Sequence, residues 1–216
     1  MLSQKIESVK KELERCSEKL TSTKNSLNDL VLDIPNLPDL SVPSGSSENA
    51  NIQVRKFGEP KIFGGKDHLD ITAMIDTDSA NLLAGSRFAV LSGKIAKLQR
   101  ALIAFMLDKA AENGYVEHYL PMVANTESLT ATGQLPKFSD DLFQLTNDYY
   151  LIPTAEVPLT NLFRNKILDA GEFPLKLTAH TSCFRSEAGS YGKDTKGLIR
   201  QHQFEKVELV QICHPD

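Results

Sequence analysis

The sequence predicts an α+β fold, with an N-terminal coiled-coil helix followed by a domain built on antiparallel sheet. Three observations predict it: a heptad seam at the start of the chain, a proline-rich break behind it, and two strand-like segments flanking a polar loop towards the end. The seam is Leu2, Ile6, Val9, Leu13, Cys16, Leu20, Thr23, Leu27 and Leu30, alternately four and three residues apart, with Lys and Glu between. A stripe this narrow, sustained over about four heptads, asks for a facing helix. A surface helix packed on its own domain is the plainer account of the same stripe. Pro35, Pro38 and Pro43 should end the helix near Ile34, and Ser46 to Asn51 reads as a polar linker. These features predict a first domain over residues 1–45 and a second over 46–216.

The composition describes an ordinary globular protein, with 41% hydrophobic and 24% charged residues in 216. No apolar run approaches the roughly 18 residues of a membrane span, and the charged N-terminus lacks a signal-peptide core. The net charge of −4 says little about RNA, since local basic patches do that binding. Cys16, Cys183 and Cys213 are odd in number and lack Cys-x-x-Cys spacing. That fits a reducing cytoplasm and opposes structural zinc, with Cys183 and Cys213 expected in the core. His68, in Asp67-His-Leu-Asp70, reads as a structural contact because no metal-ligand set accompanies it.

The second domain is expected to open with a strand at 87–91 and a helix at 92–112. Ile95, Leu98, Leu102, Phe105 and Met106 recur at helical spacing, and Gly114 marks the end. Ala101, Ile103 and Leu107 widen the apolar face, which suits core packing or a dimer interface. Strands are expected next at 115–121 and 148–152, then a helix at 153–167 beginning near Thr154. Segments 175–187 and 198–212 should close the chain as a long antiparallel hairpin.

That hairpin carries the chemistry. Thr181-Ser-Cys-Phe-Arg-Ser-Glu-Ala-Gly-Ser190 and Gly197-Leu-Ile-Arg-Gln-His-Gln-Phe-Glu-Lys-Val-Glu208 each place an Arg and a Glu among residues that suit a sheet. Such charges are costly on a central strand unless something pairs with them, and a ligand can be that partner. An Arg fork grips phosphate or carboxylate and a Glu accepts from an amine, so the pattern describes a pocket for a nucleotide and a small amino-bearing substrate.

These two strings resemble motif 2 of the class II aminoacyl-tRNA synthetases, in the seryl-tRNA synthetase version. Three further passages resemble the family in the same order: Gly85-Ser-Arg-Phe88 through Pro121 its motif 1, Thr132-Gly-Gln-Leu-Pro-Lys-Phe138 a typical loop, and Leu151-Ile-Pro-Thr-Ala-Glu-Val-Pro158 its Thr-Ala-Glu signature. The resemblance therefore implies part of a class II catalytic core and serine–tRNA ligase activity, with ATP and serine as substrates. By the same resemblance Arg185 bridges the α-phosphate and the substrate carboxylate, and is the catalytic residue. ATP is further held by Ser186, by Glu187 at the adenine edge, by Gln201 through its backbone and by Phe204 as a stacking ring. Serine falls to Thr154, Ala155 and Glu156 of the signature and to Glu208. Amino-acid activation joins two anions, so positioned cations, not a general base, supply most of the help.

Lys193 and Lys196, in the loop between the strands, are implied to reach the tRNA acceptor end, although a solvated hairpin loop accounts for them equally well. The implied partners are tRNA-Ser, with tRNA-Sec alongside it, and a second copy of the chain through motif 1. No membrane partner is expected, and the location implied is cytoplasmic. The resemblance stops at Cys213-His-Pro-Asp216, before the family's motif 3 and the carboxylates that hold Mg²⁺, and only the second arm helix matches. The sequence thus reads as a middle portion of such an enzyme, expected to be inactive alone. The alternative is a non-catalytic module acting through its coiled-coil helix.

Overall fold

The computed structural model describes residues 2–59, 64–188 and 197–215. The chain forms two compact units, Met1–Phe63 and Gly64–Asp216. In the first, helix α1 runs Leu2–Leu32, ending just before the prolines, as their missing N–H groups require. None of its residues is buried, and Leu2, Ile6, Val9, Leu13, Leu20, Leu27 and Leu30 all stand exposed.

The second unit begins with α2 (His68–Ile71), β1 (Ile75–Asp76) and α3 (Thr77–Ala84). Asp67 and Asp76 cap the two helices by accepting backbone N–H groups of their first turns. The strand expected at 87–91 is reduced to β2 (Val90–Leu91), paired antiparallel with β1, because Arg87 takes a left-handed φ of 63°. Helix α4 (Gly93–Glu112) agrees with its spacing and closes through Gly114 at φ 81°, where the N–H of Tyr115 bonds back to Ala110. Leu98, Leu102, Phe105 and Met106 on α4 remain substantially exposed.

Beyond α4 the expected strand contracts to β3 (Val116–Glu117), and β4 (Val123–Asn125) leads into α5 (Thr126–Ala131), capped by Asn125. β5 (Tyr149–Leu151) pairs antiparallel with β4, a partner the sequence did not suggest. The helix expected at 153–167 is only α6 (Glu156–Asn161). After Asn161 the chain tightens into successive i→i+3 turns and Asn165 turns left-handed at φ 60°, which stops the helix.

Two ten-residue strands, β6 (Leu175–Phe184) and β7 (Gln203–Ile212), pair antiparallel from Leu175 opposite Ile212 to Phe184 opposite Gln203. β3 joins the far edge of β6 in parallel, giving the order β3-β6-β7. Residues directly opposite share a face, so Leu177, Ala179, Thr181 and Cys183 lie with Phe204, Lys206, Glu208 and Val210. Leu177 and Ala179 of that face pack with Leu120, Ala155 and Leu159 into one core cluster. A neighbouring cluster of Ala124, Leu129, Leu135, Leu142, Ile152 and Val157 joins α5, β4 and β5 to α6. Cys183 is buried, and burial pushes its thiol up, as befits a core residue. Cys213, expected in the core, is exposed because it follows the last residue of β7.

An exposed leucine seam has a strong drive to find cover, about 1.5–3 kcal/mol for each side chain buried. Removing residues 1–34 is expected to lower the oligomeric order of the protein without unfolding the second unit. Light scattering on both forms checks this; a clean monomer with α1 present and protected from hydrogen exchange contradicts it.

Candidate active site

Where β6 ends, the backbone of β5's exit runs alongside it. The N–H of Ile152 donates to Met122, and that of Phe184 donates to the Ile152 carbonyl at 2.9 Å. This places Pro153, Thr154 and α6 against the last residues of the hairpin. Together they border a cavity of about 470 Å³, lined by Gln134, Phe138, Asp141, Thr154, Glu156, Arg185, Glu187, Arg200 and Lys206 among others.

Arg185 donates from Nε to the Pro153 carbonyl at 3.3 Å, and its guanidinium carbon stands 5.4 Å from the Phe204 ring centroid. One hydrogen bond and a cation–π contact hold the fork at the cavity wall with most of its donors unused in these contacts. Deeper in, Thr154, only 4% exposed, donates to a Glu208 oxygen at 2.6 Å. Lys206 reaches the same carboxylate oxygen at 2.6 Å and donates to the Thr154 hydroxyl at 3.0 Å. Burial works to raise the Glu208 pKa, but the hydrogen bonds from Lys206 and Thr154 and the Lys206 charge together hold it below the usual carboxylate range. The Thr154 oxygen also accepts the Glu156 N–H at 3.3 Å, so one side chain bonds the backbone at the start of α6 and anchors Glu208.

Glu187 does not continue the strand beside Arg185. β6 ends at Phe184, and Glu187 sits at φ 51°, because Asp141 takes over the backbone bonding. The Ser186 N–H donates to the Asp141 carbonyl at 2.9 Å and the Ala188 N–H to Asp141 Oδ1 at 3.0 Å. Glu187 still reaches the cavity wall, paired with Arg200 at 2.7 Å. The Ser186 hydroxyl points away from the cavity chemistry and donates to the Asp140 carbonyl.

The fold therefore brings Arg185, Glu187, Thr154 and Glu156 to one cavity, with Phe204 under Arg185 and Glu208 behind Lys206. Ala155 lies beneath this wall, fully buried in the core. Gln201 and Phe204 border a separate cavity with Phe88, Leu91 and Gln99. Lys193 and Lys196 lie outside the described residues. His68 has the structural role its surroundings suggested, accepting the Leu198 N–H.

Sequence reasoning did not single out Lys206 or Asp141, and it marked Arg200 only as the Arg of the second string, without a role. Strand parity held the signal for Lys206, which stands between Phe204 and Glu208 on the same face of β7. Asp141 had no such signal, since it acts through a loop contact 47 residues away.

Comparison with known proteins places this geometry in a class. Residues 137–216 match the tRNA synthetase class II core domain (G, H, P, S and T). The serine–tRNA ligase of Hydrogenovibrio crunogenus is 58% identical over 85% of the chain and 46% of that protein. The corresponding protein of a Psychrobacter species is 52% identical over 96% of the chain and 52% of its own length. A solved seryl-tRNA synthetase from Pyrococcus horikoshii, complexed with ATP, superposes with a TM-score of 0.81 at 32% identity, over 89% of this chain and 49% of that one. The cytoplasmic serine–tRNA ligase of Naegleria fowleri, complexed with AMP, gives 0.80 at 30%, over 91% and 48%. The residues of the site from Phe138 onwards thus lie within the stretch that matches a class II synthetase core. Over most of its own length the chain is similar to serine–tRNA ligases, and it spans about half the length of the curated relatives it matches.

With Glu208 held low, its ionised form contributes stability that is complete above the ordinary glutamate value of about 4.3 and is lost as pH falls through the lower native value. Lys206→Met is expected to move the Glu208 titration upwards and to shrink that acid-dependent loss. Carbon-13 NMR of the side-chain carboxyl, tracked against pH, reads it; an unchanged Glu208 titration shows that Lys206 is not what holds the carboxylate low.

Proposed function

We propose that this chain contributes the serine- and ATP-binding half of a serine–tRNA ligase, which activates serine as an adenylate and passes it to tRNA-Ser. The carrying observation is that Arg185, a forked cation whose guanidinium carbon stands 5.4 Å from the Phe204 ring, lines the same cavity as Thr154 and Lys206, which together hold the Glu208 carboxylate. Arg185 suits the junction of α-phosphate and amino-acid carboxylate, because its planar fork can bind both anions at once. Lys206 adds a second positive charge on that side. As the carboxylate attacks the α-phosphorus, these cations offset charge that would otherwise hold the reactants apart. Glu187 and Phe204 supply the edge and face contacts of a purine, with Ser186 and Gln201 nearby on the same segments.

The serine side group and ammonium fit Thr154, Glu156 and Glu208, with Ala155 fixing their backbone from the core. Thr154 is buried and Glu208 half-buried, so an analogue that lacks the hydroxyl is rejected because it leaves such groups unpaired. Mg²⁺ does not fit the described residues. No three His, Cys, Asp or Glu side chains converge among them, and Glu187 and Glu208 are already engaged by Arg200 and Lys206.

For the rest of the protein, we infer a first domain over 1–45 that serves as part of a tRNA-binding arm and a catalytic domain over 46–216. The exposed apolar row on α4 supports a homodimer through the motif 1 region. tRNA-Ser and tRNA-Sec are the proposed nucleic-acid partners, through Lys193 and Lys196. A cytoplasmic location accords with the free cysteines, and no helix among the described residues is long and apolar enough to cross a membrane. The exposed seam of α1 would also serve a purely interacting module. Such a module gives no reason for the charged cavity.

Calorimetry with a seryl-sulfamoyl-adenosine, a stable mimic of the adenylate, tests this. Binding is expected to exceed that of the alanyl counterpart at least about tenfold, since the lost hydroxyl strands its buried partners. Arg185→Lys should weaken it about tenfold or more through loss of the fork, in a protein that stays folded. No binding, equal binding of the two mimics, or an unaffected Arg185→Lys overturns the assignment.

A further inference from the structure

Outside the cavity, one hydrogen bond joins parts of the chain 130 residues apart: the Leu198 N–H donates to Nε2 of His68 at 2.9 Å. His68 begins α2, where the Asp67 carboxylate accepts the N–H groups of Leu69 and Asp70 at 2.9 and 3.1 Å and so fixes the first turn. The opposite side of the contact is equally restricted. Gly197 has a φ of 67°, and a Cβ there would overlap the His68 ring, so the ring occupies the space that a side chain would take. An acceptor at Nε2 and an absent side chain at residue 197 together set the height at which the chain leaves the loop and enters the return segment.

The placement of the next residues depends on that height. Arg200, two residues after Leu198, pairs with Glu187 at 2.7 Å and lines the cavity. Glu187 is also held through its carbonyl, which accepts from Arg87 Nη1 at 3.3 Å, and the Arg87 carbonyl accepts the His202 N–H at 2.9 Å. Beyond the Phe184–Gln203 pair the Arg185 N–H still donates to the His202 carbonyl at 3.0 Å, but no strand pairing reaches residues 197–201, which are held by the contacts of Leu198 and Arg200. On the entry side Asp141 does the same work for residues 186–188.

We propose that His68 is a positioning residue for the nucleotide end of the cavity. By accepting from Leu198 it fixes residues 197–200, and through Arg200 it holds the Glu187 carboxylate at the wall where a purine edge would lie. His68 touches neither substrate in this role. The inference rests on the reading of Glu187 as a purine-edge contact, and a measurement without ligand separates the two.

His68→Phe keeps a ring but removes the acceptor, whereas His68→Gln keeps an acceptor. ATP affinity, read by calorimetry on the full chain, is expected to fall about tenfold in His68→Phe and to recover in large part in His68→Gln, the size set by one half-buried hydrogen bond. In an Arg200→Ala background the further loss from His68→Phe should vanish, which a general loss of packing would not produce. In ligand-free protein, the Leu198 amide should exchange faster and the Arg200 Nε–H resonance should shift in His68→Phe but not in His68→Gln. Gly197→Ala, which forces the ring aside, should reproduce His68→Phe. If the parent chain fails to bind ATP, the purine reading fails, while the exchange and resonance results still decide the role of His68. Unchanged Leu198 exchange in His68→Phe, or an equal loss in the Arg200→Ala background, overturns the proposal.

Discussion

The Glu208 carboxylate lies on the inner face of the β6–β7 hairpin, with the Thr154 hydroxyl and the Lys206 ammonium both 2.6 Å from one of its oxygens. A carboxylate drawn half out of water without such partners would be penalised, so its presence favours a fold that delivers a hydroxyl and a cation to the same point. Delivering Thr154 fixes the path of residues 152–156, because their backbone must run beside the end of β6. That path in turn presents the Pro153 carbonyl to Arg185 and the start of α6 to the cavity. The pairing of one acid thus organises both walls of the site.

Glu208 with Lys206, Glu187 with Arg200, and Arg185 with a carbonyl and an aromatic face are all paired before any ligand arrives. Under the proposed reading, binding is an exchange of partners, in which ligand phosphate, carboxylate and ammonium replace internal contacts. Side chains held by internal pairs need less ordering on binding. The backbone obeys the same logic. Asp141 and His68 take over the hydrogen bonding beyond the Arg185–His202 contact, letting Glu187 leave the sheet and still face inwards.

The parts of this arrangement that were legible in the sequence are those governed by local periodicity. The heptad of α1, the amphipathic α4 with its glycine stop, and the parity linking Phe204 to Glu208 all depend on neighbours within a few residues. The parts that were not legible depend on contacts across the fold. The short α2, α3 and α5 carry Asp67, Asp76 and Asn125 caps that were readable in principle, yet each helix is too brief for a periodic signal. The early end of α6 and the left-handed Glu187 arise from tertiary hydrogen bonding that no window of sequence contains. The cluster at Glu208 was half visible: its acid and hydroxyl stand in recognisable motifs, while Lys206 read as one more charged strand residue.

On the proposed reading the site divides its work, with Glu208 serving the amino acid, Phe204 the nucleotide, and Arg185 spanning both. Calorimetry on Glu208→Gln, titrated separately with serine and with ATP, tests that division most directly. Loss of a charged hydrogen-bond acceptor predicts serine affinity reduced about tenfold or more, with ATP affinity within a factor of about three of the parent protein. Equal losses for both ligands, or a loss confined to ATP, would contradict the division.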